Sequence, residues 1–217
     1  MTRRTDRLFD DRTAAGRALV PLLERWRGSD AVVCAIPRGG VPVAAEVARE
    51  LGLPLDVVVV RKLGSASNEE YAVGAIAEGA RVVEEAAVRH AGMDAAALAA
   101  VEERERAELR RREEAFGVAA QDVAGRPVIV VDDGIATGST AVAACRALRA
   151  RGARHIVLAA PVAPETFLPP ADAVDDYVCA SPQREFWAVG QFYRDFTQTT
   201  DAEVIRLLRD TGSSGTG

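Results

Sequence analysis

The apolar positions of this chain fall into short blocks of Val, Ile, Leu and Ala, each closed by Gly or Pro and followed by a helix-like spacing of hydrophobic residues. Short continuous apolar runs predict strands covered on both faces, and their alternation with helical stretches predicts βα units around a mainly parallel sheet. Residues 31–36, 55–60, 128–131 and 156–160 are the clear strand candidates. Residues 71–77 and 81–83 are weaker ones, interrupted by Gly74 and Gly79. Residues 41–51 close at Gly52 and Pro54, and 140–151 close at Gly152, so both read as crossover helices. Residues 13–26 place Ala14, Ala18, Leu22 and Leu23 along one face, the mark of a packing helix. The predicted class is α/β: a doubly wound, mainly parallel sheet with helices on both faces and a small C-terminal hood.

The stretch 94–116 has a different texture, with eleven Glu and Arg residues around a thin stripe of Leu98, Val101, Leu109 and Phe116. It predicts a long, solvated helix or dimer-contact arm. Pairs such as Glu102 with Arg106 and Glu108 with Arg112 lie four apart and support it by roughly 0.2–0.5 kcal/mol each. Beyond residue 160 the chain is broken by five prolines and gathers Phe186, Trp187, Phe192, Tyr193 and Phe196, which predicts a cap. The expected organisation is an N-terminal helical segment at 1–30, a core at 31–160 with a helical insertion near 94–116, a hood at 161–209, and a disordered tail at 210–217.

Composition narrows the function classes. The chain has 217 residues, of which 48% are hydrophobic and 27% charged, and its net charge is -5, so it carries no basic footprint for a nucleic-acid backbone. No apolar run is long enough to span a membrane, and the charged N-terminus lacks the apolar core of a secretory signal, which predicts a cytoplasmic protein. Cys34, Cys145 and Cys179 are odd in number and sit in apolar runs, as buried thiols do in a reducing compartment. His90 and His155 have no second ligand at metal spacing, which argues against a zinc site or a histidine triad. Of the 27 basic residues only Lys62 is Lys. A compact ammonium among planar guanidinia marks that position for attention.

The strongest chemical signal is Val128-Ile-Val-Val-Asp132-Asp133-Gly134-Ile135-Ala136-Thr137-Gly138-Ser139-Thr140, a buried strand ending in two acids and running through a small-residue loop into a helix. Ligands of open α/β sheets bind at the C-terminal ends of strands. A loop of Ala136, Thr137, Gly138, Ser139 and Thr140 leaves its backbone N–H groups and hydroxyls accessible to an anion, and the helix N-terminus adds partial positive charge. The two acids would repel a bare phosphate, but carboxylates accept hydrogen bonds from vicinal hydroxyls and help to hold hydrated magnesium. Together the two halves describe a sugar-phosphate site. The triphosphate P-loop lysine and the dinucleotide G-x-G-x-x-G are both absent.

This segment resembles the signature of the type I phosphoribosyltransferases, which is four hydrophobic residues, two acids and a small-residue loop containing Thr-Gly and Thr. The likeness extends over about 31–160. It is similar to a bacterial subgroup carrying Pro-Arg-Gly-Gly, here 37–40, and Ala-Val-Gly-Gln-Phe-Tyr, here 188–193. The resemblance implies transfer of 5-phosphoribosyl from phosphoribosyl diphosphate to a nucleobase or similar nitrogen acceptor, with release of diphosphate. Asp132 and Asp133 would hold the ribose hydroxyls, and residues 136–140 the 5-phosphate.

It further implies a diphosphate loop of unusual backbone geometry at Arg38, Gly39 and Gly40, with Arg61 and Lys62 reaching the same diphosphate and 63–70 closing as a lid. Magnesium would be held mainly by substrate, with Asp132 and Asp133 as the available carboxylates, and a homodimer is expected. Phe186 and Trp187 could sandwich a flat base, or the hood aromatics could simply form the hood's own core. A regulator of the same fold that senses phosphoribosyl diphosphate or nucleotides without catalysis is the alternative function. The absence of a DNA-binding segment and the full set of candidate diphosphate residues favour the enzyme.

Overall fold

A computed structural model describes residues 7–65, 72–77, 79–116 and 121–212. Among the described residues eight strands form two sheets. The larger is parallel throughout, in the order β2-β1-β6-β7-β8, from Val32–Ala35 (β1), Leu55–Val57 (β2), Pro127–Val131 (β6), His155–Pro164 (β7) and Asp176–Gln183 (β8). The smaller is an antiparallel meander of Val60–Gly64 (β3), Ala72–Ala77 (β4) and Ala80–Val83 (β5).

The doubly wound character follows from the strand alternation. Val33, Ala35, Ile129, Val131, Val157 and Ala159 face one core with the helix Gly40–Leu51 (α2); Val32, Cys34, Val128, Val130, Ile156 and Leu158 face another with Ser139–Ala150 (α5). Both crossover helices therefore lie where the sequence predicts them, on opposite faces of the sheet. Cys34 and Cys145 are free and buried in the second core, and burial pushes the Cys145 thiol up to about 12.

Several boundaries differ from expectation. The apolar run 55–60 is two strands: after β2 the amide of Val58 still donates to Ala35 at 2.9 Å, and from Val60 the chain leaves for the second sheet. The weaker candidates, β4 and β5, belong to that sheet. The packing helix spans only Arg12–Leu19 (α1), with Asp11 capping it through the amide of Ala14; Val20–Trp26 continues as 3-10 turns across Pro21. β7 and β8 carry the parallel sheet to residue 183, so the expected core boundary at 160 cuts through a strand. Prolines at 161 and 164 are accommodated within or at the end of β7.

Two helical expectations are also revised. The C-terminal helix Asp201–Gly212 (α6) includes residues 210–212, expected to be disordered, because Val204 and Leu208 seat it on the main core; 213–217 lie outside the described residues. The short Glu85–His90 (α3) precedes the long helix, which spans Ala95–Phe116 (α4). α4 is not a free arm: Val101, Leu109 and Phe116 are buried, as is the carboxylate-bearing Glu105.

Candidate active site

Strands β1 and β6 are adjacent and their connections leave to opposite faces, so the crevice between their C-terminal ends is the topological switch point of the sheet. Register places Ala35 opposite Val131, which brings residues 36–40 and 132–140 to the same sheet edge. The two strongest motifs of the sequence therefore meet in space. The Pro37–Arg38 peptide bond is cis, in keeping with the unusual geometry expected of this loop. Its glycines are required by packing: a Cβ on Gly39 would lie 2.1 Å from the Asp133 carboxylate, and one on Gly40 would lie 2.6 Å from the Val131 carbonyl. The close approach that the sequence suggests for a ligand is thus used by the protein's own paired acids.

The acids are unequal. The Asp133 carboxylate accepts from Nε and Nη2 of Arg12, both at 2.9 Å, and both side chains are nearly enclosed. Arg12 is held in turn: Nη1 donates to the Thr197 carbonyl at 2.7 Å, and its guanidinium stacks 4.1 Å over the ring of Phe196. The Tyr193 hydroxyl donates to the Asp133 carbonyl at 2.6 Å. Asp132 has no such cation; its Oδ1 accepts from the Asp133 amide at 2.9 Å. Burial first, and then the charge of Asp133, raise the Asp132 pKa well above the carboxylate range. Burial also raises Asp133, with Arg12 opposing it.

Past the acids, Gly138 adopts φ 77°, and a Cβ there would run into the ring of Phe167. No other residue fits this turn without strain. α5 begins at Ser139 with no side-chain cap on its first turn, and the hydroxyls of Thr137 and Ser139 lie 3.1 Å apart. Amides and hydroxyls at a helix start are groups able to receive an anion.

Two cavities are lined by residues of these loops. One, of about 510 Å³, contains Thr137, Gly138 and Ser139 together with Lys62, Arg146 and the apolar Val142 and Phe167. The other, of about 450 Å³, contains Arg38, Gly39, Arg12 and Asp133 with Arg111, Arg112, Phe196 and Asp201. Of the residues expected at the diphosphate, Arg38 is in the second cavity and Lys62 in the first, while Arg61 is in neither: its Nε and Nη2 donate to Glu105 of α4 at 2.9 and 2.6 Å. Adjacent strand residues point to opposite faces, so the side chains of Arg61 and Lys62 cannot serve one ligand group. Of the expected lid, 63–65 complete and follow β3, and 66–70 lie outside the described residues.

The aromatic pair considered for a flat base is not assembled. Phe186 packs on Phe192 with centroids 5.2 Å apart, and Trp187 is 87% exposed. Phe192 and Tyr193 are buried with Ala15 and Val162, and residues 8 and 9 donate to the Phe192 carbonyl, so the hood aromatics form a small core that clasps the N-terminal segment. Arg12, Tyr193 and Phe196 are site residues that sequence reasoning misses. Arg12 is one arginine among 26, separated from Asp133 by 121 positions, and no local pattern marks it.

Among the described residues no group of three or more His, Cys, Asp and Glu side chains could hold a metal ion. Two adjacent carboxylates suit a magnesium ion that arrives on substrate phosphates, since Mg²⁺ keeps most of its waters and takes only one or two protein carboxylates. No helix among the described residues is long and apolar enough to cross a membrane.

Comparison with known proteins agrees with this geometry. The sequence matches the model of the family described as the phosphoribosyl transferase domain over residues 10–197. It is 50% identical over 206 residues to Rv0571c and MT0597 of Mycobacterium tuberculosis, both named for phosphoribosyl transferase; the match covers 93% of this chain and 46% of theirs, so the chain spans about half the length of these curated relatives. The crystal structure of TT1426 from Thermus thermophilus aligns with a TM-score of 0.84 and 40% identity, over 93% of this chain and 98% of that one. A Neisseria gonorrhoeae protein solved with bound ppGpp shares the fold at a TM-score of 0.51 and 15% identity, over 94% and 97% of the two chains. With its switch-point acids, its small-residue loop and a family match across most of its length, the chain belongs to the phosphoribosyl transferase domain family.

Proposed function

We propose that the protein transfers the 5-phosphoribosyl group of phosphoribosyl diphosphate to a nitrogen acceptor such as a nucleobase. The observation that carries this reading is the order of three groups at one sheet edge: the 37–40 loop with Gly39 against the Asp133 carboxylate, the paired acids themselves, and the hydroxylated turn 137–140 that follows them. Phosphoribosyl diphosphate has the same layout, with a phosphate at one end, vicinal hydroxyls in the middle and a diphosphate at the other. In this reading the 5-phosphate occupies the first turn of α5, where Lys62 supplies a mobile positive charge. The ribose hydroxyls donate to Asp132 and Asp133, and Arg38 faces the diphosphate.

Cleavage of the anomeric carbon–oxygen bond leaves positive charge on the sugar and negative charge on the leaving diphosphate. The carboxylates stabilise the first and Arg38 the second, and both are in place before the bond breaks. Magnesium, when it accompanies the substrate, supplies further neutralisation of the diphosphate, and Asp132 is the carboxylate free to meet its hydration shell, because Asp133 is committed to Arg12. The acceptor nitrogen then bonds to the anomeric carbon and gives up its proton.

The test combines binding and turnover. Phosphoribosyl diphosphate with magnesium should raise the melting temperature by mass action, and a panel of nucleobases should reveal diphosphate release with at least one. A folded protein that shows no thermal shift at millimolar ligand would sink the proposal. Lys62→Ala should weaken ribose 5-phosphate binding roughly tenfold, the scale of one charge-assisted contact, as read by calorimetry.

A further inference from the structure

The diphosphate end of the proposed substrate poses a charge problem that the family signature leaves unsolved in this chain. A diphosphate needs several cations, yet Arg61 is locked to Glu105 and Lys62 lies in the other cavity. In the cavity beside the cis-peptide loop, Arg12 is already consumed by Asp133 and the Thr197 carbonyl. Arg38 alone would remain from the expected set, and its contact with Asp201 is a long 3.4 Å between two well-exposed side chains.

The same cavity contains Arg111 and Arg112 of α4. Both donate to one carboxylate, Glu108, at 2.8 and 2.9 Å, so this triad carries one positive charge in excess. Asp201, the acid that touches Arg38, lines this cavity together with Arg38, Arg111 and Arg112, so the three arginines border one space. α4 is fixed on either side of the pair, because Leu109 and Phe116 are each 4% exposed in the main core. Cations carried on an anchored helix keep their positions without ligand, which lowers the cost of binding.

We propose that Arg111 and Arg112 are diphosphate-binding residues, so that the inserted helix α4, with Arg38, supplies the cations for the leaving group. This rests on the phosphoribosyl diphosphate reading above. It assigns a ligand role to residues whose spacing from Glu108 otherwise reads as ordinary helix support.

The experiment is calorimetric titration of the full chain with inorganic diphosphate and, separately, with ribose 5-phosphate. Arg111→Gln/Arg112→Gln should weaken diphosphate roughly tenfold to a hundredfold while ribose 5-phosphate stays within about twofold of the parent, since only the first ligand reaches the arginines. Arg110→Gln removes one charge from the same helix outside the cavity, and parental affinity for both ligands is expected. Unchanged diphosphate affinity in the double variant would overturn the inference and leave the proposed function standing. A parent that binds neither ligand would overturn both. Should the double variant fail to fold, seen as loss of both ligands and of its melting transition, the single variants Arg111→Gln and Arg112→Gln are read in the same way.

Discussion

Arg12→Ala should lower the melting temperature by roughly 5–10 °C at pH 8, corresponding to about 2–3 kcal/mol for a domain of this size. The variant removes the guanidinium from a nearly enclosed carboxylate and leaves Asp133 beside Asp132 with no opposing charge. It also releases the Thr197 carbonyl and uncovers the face of Phe196, so the hood loses its hold on the floor of the site. The sign of the pH dependence follows from the ionised form being the one that suffers. As pH falls toward 5 the acids bind protons, the uncompensated charge disappears, and the gap between parent and variant should narrow. Parallel melts at pH 8 and pH 5 check this; a gap that is equal or wider at pH 5 would show that packing on Phe196, not charge, accounts for the loss.

Asp132→Asn should do the opposite to the ligand-free fold. Burial and the neighbouring acid raise the Asp132 pKa in the folded state, so the folded protein binds this proton more tightly than the unfolded chain does. Its contribution to stability is then best at low pH and is lost as pH rises through the folded-state pKa. Replacing the acid by a neutral amide removes that loss, and the variant should melt above the parent at pH 8 by about 1–2 kcal/mol of stability, with the difference fading toward pH 5. The same change deletes a charged acceptor for the ribose hydroxyls, so affinity for phosphoribosyl diphosphate should fall roughly tenfold to a hundredfold. A variant that is more stable and binds more weakly would identify Asp132 as a residue retained for ligand at the expense of the fold. If it binds as tightly as the parent by calorimetry, the ribose role is wrong.

The contrast between the two acids bears on how the site is built. Asp133 is tied to the protein through Arg12, and its carbonyl is tied through Tyr193, so it joins the switch point of the sheet to the hood. Asp132 has only a backbone amide and is the member of the pair left with acceptor capacity. A bound sugar would relieve it, since hydroxyl donors favour the ionised carboxylate. Binding of the proposed substrate should therefore be accompanied by proton release near neutral pH.

The chain's local patterns were sufficient for much of this. Continuous Val and Ile runs predict strands buried on both faces, glycine-closed amphipathic stretches predict crossover helices, and two acids followed by small hydroxylated residues predict a strand-to-helix turn at the sheet edge. Those inferences involve neighbours in sequence, and α2, α5, β1 and the 128–140 segment formed as read.

What depended on partners far along the chain was decided only by the tertiary structure. The periodicity of 55–64 does not say where β2 gives way to β3, because that is settled by which sheet edge receives the strand. Strand alternation separates Arg61 from Lys62, but only the position of Glu105 on α4 determines which of them is consumed in an ion pair. The charged face of α4 looks solvated until Leu109 and Phe116 seat it in the core and bring Arg111 and Arg112 to the cis-peptide loop. Arg12 shares no local pattern with Asp133; they meet because the N-terminal segment is clasped by the hood above the switch point. Hydrophobic period and turn chemistry are properties of short segments, whereas the pairing of one arginine with one acid is set by the packing that brings distant segments together.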